Sequence, residues 1–265
     1  MCKLDFFLYK CKIGHDTTNL NIHTLKGGSM VPIKFDIVPF DYTYLINHPS
    51  QKANLLRFYC EIWRNDPVFA EYSRCPNCRK FFSKDDVEIK LITSCSGTAS
   101  NPHKIELLED GWTPEIADID LQKNLALGKD FFGAIAVTPP RDQIIGFVWG
   151  YTIDFAVLSN KWPQNTVSKV NQELPGTKVS YFAEVASHPV FRDKGVGKAL
   201  CKVLISWMKQ NYPSIPSMLH THEDSKAFHI YQKAGYRLFD KVGQINSGRI
   251  LMAAKQCSIL TPENL

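Results

Sequence analysis

Apolar and polar residues alternate with a period of two over residues 31–40. Val31, Ile33, Phe35 and Ile37 share one face there, so the stretch reads as a strand. Beyond Ser50, a candidate N-cap, the period lengthens. Leu55, Leu56, Tyr59, Ile62 and Trp63 fall on one face of a helix over residues 51–64. Thr113 as N-cap, Pro114 at the first helical position and Gly128 past the end frame a second helix, Pro114–Leu127. Strands over 131–137 and Gln143–Asp154 flank Pro139, Pro140, Arg141 and Asp142, a turn that makes them a hairpin. Lys178–Ser187 is a further strand. Val196–Asn211 is a helix whose Val196, Ala199, Leu200, Val203, Leu204, Trp207 and Met208 form an unbroken apolar face. A short strand over 217–221, a short helix over 225–234 and a closing hairpin of 236–244 with 250–254 complete the series. The fold class is mixed α/β (α+β) with an antiparallel start.

With 265 residues, 44% hydrophobic and 22% charged, the chain can bury a sizeable core without disulfide staples. That composition excludes disordered, collagen-like and coiled-coil architectures. No apolar run approaches the roughly 20 residues that a membrane span needs. The apolar patch from Phe6 to Tyr9 is interrupted by Asp5 and followed by no small-residue cleavage site, so no signal peptide is expected. Residues 1–30 lack sustained periodicity and end in Gly27, Gly28 and Ser29, which reads as an N-terminal extension. The expected domain spans 31–258, interrupted by an insertion over 70–128, with a tail at 259–265. The net charge of +5 suits an anionic ligand, but the charges are scattered, which gives no support to a nucleic-acid or membrane surface. Oligomeric state is not legible.

The strand Lys178–Ser187 is followed by Arg192, Asp193, Lys194, Gly195, Val196, Gly197 and Lys198, and then by the amphipathic helix. Two glycines at a strand-to-helix junction permit positive φ and let an anion come close to the amides. The helix N-terminus adds exposed N–H donors and partial positive charge, so a phosphate or pyrophosphate is the natural guest. A Walker A loop is excluded, because Ala199 follows Lys198 and Arg192 stands where the first glycine belongs. The dinucleotide fingerprint is excluded too, because Leu200 replaces its third glycine. What remains is Arg-x-x-Gly-x-Gly; the competing reading is an N-cap loop with no ligand.

In this context residues 181–200 (YFAEVASHPVFRDKGVGKAL) resemble the acetyl-CoA-binding segment of the GNAT superfamily of N-acetyltransferases: a strand, a His-Pro turn, the glycine loop and a helix. Residues 224–236 (DSKAFHIYQKAGY) resemble a second GNAT segment, with Asp224 in place of Asn, Ile230 of Leu and Tyr236 of Phe. The resemblance covers about 31–65 and 130–256. It implies a central, mostly antiparallel twisted sheet flanked by helices, with the insertion between its first and second strands. It also implies that backbone at Val185, Ala186 and Ser187 pairs with the pantetheine arm of acetyl-CoA. The pyrophosphate then rests on Arg192, Asp193, Lys194, Gly195, Val196, Gly197 and Lys198, with Asp224 beside the cofactor.

Tyr231 matches the family's tyrosine near the cofactor sulfur, where a phenol can return a proton to the departing thiolate. The competing reading is a core tyrosine on the face of Ala227 and Ile230. The acceptor amine must be neutral to attack, and Glu184 on the cofactor strand is the candidate base, alongside a water chain or an exposed, salt-bridged role. His188 reads as part of the turn. His220, His222 and Glu223 end a strand beside the cleft and could orient an acceptor.

Eight cysteines without an export signal point to a reduced, cytoplasmic chain. Cys201 reads as a small core residue. Cys75 and Cys78 form a C-x-x-C turn, which presents two thiolates to one metal. Cys95 and His103 are the nearest candidates to complete a closed, structural tetrahedral zinc site, with Cys60 able to replace either, and ordinary free thiols the alternative. The combined expectation is a direct N-acetyltransferase that uses acetyl-CoA and an unidentified amine acceptor, a small molecule or a peptide, with a zinc module shaping the acceptor side. The alternative is a non-catalytic acyl-CoA-sensing or zinc-knuckle binding module. A zinc hydrolase would require an open metal position that these ligands do not leave.

Overall fold

The computed structural model describes residues 18–20, 33–65, 73–75, 81–82, 94–95, 103–104, 112–127, 130–139, 143–159, 164–174, 176–241 and 249–255. Its strands are β1 Thr18–Leu20, β2 Phe35–Phe40, β3 Ser73–Arg74, β4 Phe81–Phe82, β5 Ser94–Cys95, β6 His103–Lys104, β7 Phe131–Thr138, β8 Gln143–Asp154, β9 Lys178–Ser187, β10 Ser217–His222, β11 Arg237–Lys241 and β12 Arg249–Ala254. The helices are α1 Tyr42–Asn47, α2 Pro49–Asn65, α3 Pro114–Leu127, α4 Phe155–Ser159, α5 Gln164–Glu173, α6 Val196–Asn211 and α7 Lys226–Lys233, with a 3₁₀ turn at Pro189–Phe191.

The main sheet has the order β1-β2-β7-β8-β9-β10-β12-β11. Every neighbouring pair is antiparallel except β9 and β10, which run parallel because α6 carries the chain across the sheet between them. β7 and β8 are buried along nearly their whole length, as expected of central strands covered on both faces. On one face α6 and α7 pack over Ala134, Ala136, Ile145, Val148, Phe182, Leu219, Ile250 and Met252. The opposite face carries two clusters. Helices α1, α2 and α3 cover Ile135, Ile144, Phe147 and Trp149, while α4 and α5 cover Tyr151, Ile153, Val179, Met218 and Leu251. Ala183 packs at the border of both.

The apolar stripe read for α6 is the stripe that it buries, with Ala199, Leu200, Leu204 and Met208 all inside. Thr113 Oγ1 accepts from the Ile116 amide as the N-cap of α3, at 3.4 Å. Ser50 does not cap α2. Asp41 caps α1 instead, its Oδ1 accepting from the Tyr44 amide at 2.7 Å, and α2 starts at Pro49, whose fixed φ suits a first helical position. The first core strand starts at Phe35; Ile33 and Lys34 precede it, and 31–32 lie outside the described residues. β1 comes from the stretch read as an extension without periodicity, and it pairs with β2 through Thr18↔Ile37 to Leu20↔Phe35. The insertion is therefore preceded by two strands of the sheet rather than one. Within it, β3 pairs with β4 and β5 with β6 as separate two-stranded ribbons. Among the described residues, no helix is long and apolar enough to cross a membrane.

Candidate functional site

Parallel pairing between β9 and β10 begins at Ser180↔Ser217 and stops at Phe182↔Leu219. β9 continues to Ser187, still paired with β8 on its other side. The register with β8 shifts between Trp149↔Glu184 and Gly150↔Phe182, which leaves Ala183 as an extra residue. Such a bulge bends a strand and increases its local twist. The two parallel strands fork at this point, and β10 offers no partner to residues 183–187. These five positions are half-buried, whereas Val179, Ser180 and Phe182 are buried. An extended ligand with amide groups can add to such an edge as a further strand would.

The open edge of β9 leads into the glycine loop. The His188 amide donates to the Ile145 carbonyl at 2.9 Å, and His188 Nδ1 accepts from the Val190 amide at 3.2 Å, which fixes the turn. Asp193 and Gly195 both have positive φ, 62° and 83°. Gly195 is the N-cap of α6, and no side chain caps that end. The first-turn amides are thus left to a ligand or water. At Gly197 an added Cβ would find its nearest neighbour, Ser187 Oγ, at 3.9 Å. The missing side chain therefore leaves a gap between the end of β9 and the start of α6. The protein's own packing does not require glycine there, and the gap leaves room for an anion to come close to the amides.

Lys226 Nζ bonds Asp193 Oδ2 at 2.8 Å, tying the loop to the first residue of α7. Lys194 Nζ lies 5.4 Å from the centre of the Phe191 ring. Partial burial, Lys202 and Lys233 lower the Lys198 pKa, the mark of crowded positive charge beside the loop. Asp224 sits in the exposed turn before α7, where its amide donates to His222 Nδ1 at 3.2 Å.

Tyr231 comes from α7, whose N-cap is Ser225, with Oγ accepting from the Ala227 amide at 3.2 Å. Its ring packs edge-on to Phe182 at 5.4 Å and to Tyr236 at 6.1 Å. Burial first, then Cys201, Tyr236, Glu184 and Tyr181, holds this phenol well above its ordinary pKa. It stays protonated throughout the neutral range, and can serve as an acid but not as a resting phenolate.

Glu184 stands opposite Trp149, on the face away from α6. Its charge helps to raise the Tyr151, Tyr181 and Tyr231 hydroxyls. Tyr181 Oη lies 2.9 Å from His220 Nδ1. Burial, then Arg249, lowers the His220 pKa to about 4. His188 instead faces the α2 wall, stacked 6.1 Å from Phe58 with Nε2 3.3 Å from Glu61. Tyr151, Tyr181 and Arg249 escape a sequence reading, because only strand register brings residues 151, 181, 220 and 249 together.

Of the proposed metal ligands, Cys75 is wholly buried at the end of β3. Cys95 and His103 face each other in register across β5 and β6, where only their backbone is described. Cys78 lies outside the described residues. No cluster of three or more metal-ligating side chains occurs among the described residues.

The sequence model of the Acetyltransferase (GNAT) family matches residues 102–236, half of the chain. That match begins inside the segment read as an insertion and ends just before β11. No curated protein matches the sequence significantly. Among solved structures, the chain is similar to histone acetyltransferase HPA2 and related acetyltransferase from Corynebacterium glutamicum, at 16% identity, 85% coverage of this chain, 97% of that chain and TM-score 0.47. It is also similar to an acetyltransferase of the GNAT family from Streptococcus pneumoniae, at 15% identity, 83% and 98% coverage and TM-score 0.45. A third is Arabidopsis thaliana NAA60 in complex with a bisubstrate analogue, at 17% identity, 51% and 82% coverage and TM-score 0.39.

Proposed function

The chain belongs to the GNAT family of acetyltransferases, and on that premise we propose that it transfers the acetyl group of acetyl-CoA directly to an amine. The observation that carries this reading is the fork between β9 and β10, which runs into an uncapped helix start where Gly197 leaves the backbone open to close approach. A pantetheine arm has amides for the edge at Val185, Ala186 and Ser187. A pyrophosphate has oxygens for the amides from Asp193 to Lys198, with Arg192, Lys194 and Lys198 supplying positive charge. Asp224 borders that side through the turn that precedes α7. When bound, acetyl-CoA supplies the acetyl group as a thioester.

Tyr231 holds a proton for the departing sulfur. Burial keeps its hydroxyl protonated, so Tyr231 enters the step carrying the proton that the sulfur takes. Glu184 carries negative charge to the acceptor side of the sheet, where it attracts an ammonium group and takes its first proton, leaving the neutral amine that attacks. The acceptor is a primary amine of a small molecule or a peptide.

We also read Cys75, Cys78, Cys95 and His103 as the ligands of a structural zinc. The C-x-x-C spacing, the burial of Cys75 and the cross-strand register of Cys95 with His103 support this, and buried Cys60 is the substitute ligand. Calorimetric titration tests the cofactor half of the proposal. Acetyl-CoA should bind one to one, and inorganic pyrophosphate should compete weakly for the same site. A chain that binds neither contradicts the assignment of the loop.

A further inference from the structure

Strand register sorts the charged groups on the sheet face away from α6. Along β12, Ile250 packs into the α6 cluster and Leu251 into the opposite one, so Arg249 shares the face of Leu251. Leu219 and Met218 of β10 divide in the same way, which places His220 and His222 on that face too. His222 is the partner of Arg249 in register. On β9, Tyr181 faces this side, and so does Glu184 opposite Trp149. β10 stands between β9 and β12, and the fork opens between β9 and β10. Two strand spacings hold the backbones of Glu184 and Arg249 at least about 10 Å apart, one on each side of the opening.

The two sides differ in sign. Glu61 of α2, the helix that covers Trp149 beside Glu184, adds a second carboxylate there, 3.3 Å from His188 Nε2. Across the opening Arg249 is exposed and open to a ligand from solvent. The acids near its end of the sheet have basic partners of their own, Glu223 with Lys241 at 3.2 Å and Asp224 with His222 at 3.7 Å. The groups between the two poles are neutral. Burial above all keeps the Tyr151 and Tyr181 hydroxyls protonated, and burial with Arg249 keeps His220 uncharged near neutrality. Tyr181 feels both poles, since Glu184 raises its pKa and Arg249 lowers it.

We propose that the acceptor is an aminocarboxylate whose amine enters on the Glu184 side and whose carboxylate is held by Arg249 across the fork. A guanidinium presents N–H donors in a planar fork that matches a carboxylate, and holds its charge at any working pH. An ammonium and a carboxylate at the two ends of a short chain meet the two poles of this face in the right order. An acceptor with a neutral far end wastes Arg249, and one with a second cation there is repelled by it.

The proposal names the substrate class of the proposed acetyl transfer and rests on that reading; the test separates the two. Wild-type protein, Arg249→Gln and Arg249→Lys are supplied with acetyl-CoA and two matched acceptor pairs: 4-aminobutanoate with n-butylamine, and 6-aminohexanoate with n-hexylamine. Thiol release gives kcat/KM for each acceptor. Calorimetry checks the fold, and acetyl-CoA affinity should stay within about twofold of wild type in both variants. Within one protein, the acid-to-amine ratio of kcat/KM cancels any change common to both acceptors. Dividing the wild-type ratio by the variant's then cancels the different basicity of the two amines. For Arg249→Gln that quotient should reach about ten- to hundredfold in at least one pair, the worth of a lost charge-assisted hydrogen bond. It should be smaller for Arg249→Lys, which keeps the charge. A quotient near one for Arg249→Gln in both pairs, with the amines still acetylated, overturns the carboxylate assignment alone. A wild-type protein that binds acetyl-CoA but acetylates none of the four acceptors overturns the acetyltransferase reading and this proposal with it.

Discussion

Replacing Gly197 with alanine separates the cofactor cradle from the fold. Gly197 lies in the first turn of α6, and an added methyl would meet Ser187 Oγ at 3.9 Å, an ordinary contact. The apo protein loses nothing and gains helix propensity. Glycine is roughly 0.5–1 kcal/mol worse than alanine inside a helix, and at 1 kcal/mol per about 2–4 °C the melting temperature should rise by about 1–4 °C. The same methyl projects into the gap between the end of β9 and the α6 amides, where the pyrophosphate must come close. Losing one charge-assisted hydrogen bond costs about 1.5–3 kcal/mol. At about 1.4 kcal/mol per decade, affinity for acetyl-CoA should fall roughly ten- to hundredfold. Titration calorimetry and a thermal melt of one preparation read both effects. A variant with a higher melting temperature and unchanged affinity would refute the cradle. Gly195 is a poorer site for this experiment, because its φ of 83° strains any side chain.

Tyr231→Phe should lower kcat by about 10²–10⁴ under conditions where chemistry limits the rate, and unchanged single-turnover kinetics would remove it from the mechanism. Tyr236→Phe deletes the buried 2.6 Å contact with Ser217 Oγ, which keeps its bond to the Ser180 carbonyl at 3.1 Å. Urea unfolding should show a loss of about 1 kcal/mol, and no shift in midpoint would contradict that contact. His220 gives a pH signature: its pKa falls from 6.5 to about 4 on folding, so between those values the unfolded chain binds the extra proton and stability drops as pH falls. His220→Gln should shrink that acid loss by up to about 3 kcal/mol, and parallel stability curves for variant and wild type from pH 7 to 4 would refute the shift. Elemental analysis should find one zinc per chain, lost in Cys75→Ser with acetyl-CoA binding retained; a metal-free wild type would end the zinc reading.

The elements that frame the site were legible because burial wrote their periods into the chain. α6 needs a continuous apolar stripe and β9 a short apolar run, and both appear with the bounds read from sequence. α5 escaped: it buries only Thr166 and Val170, too little to form a stripe. α1 escaped because six residues capped by Asp41 are too short for a helical period to emerge. The glycine loop carried its own chemistry in residue types. The fork did not, since the Ala183 bulge is a fact of pairing between β8 and β9, and no residue there announces it. The contact between Tyr181 and His220 was hidden for the same reason. It joins side chains 39 positions apart through the one parallel pairing in the sheet.

The central claim is that the fork and the glycine loop serve acetyl transfer to an amine. Its most direct test is acetyl-CoA labelled with carbon-14 in the acetyl group, incubated with the protein and with n-butylamine, glycinamide or lysine amide. Label should appear in the amide of at least one amine, with one equivalent of free thiol for each label transferred. Stoichiometric binding of labelled acetyl-CoA with no label reaching any amine would contradict it.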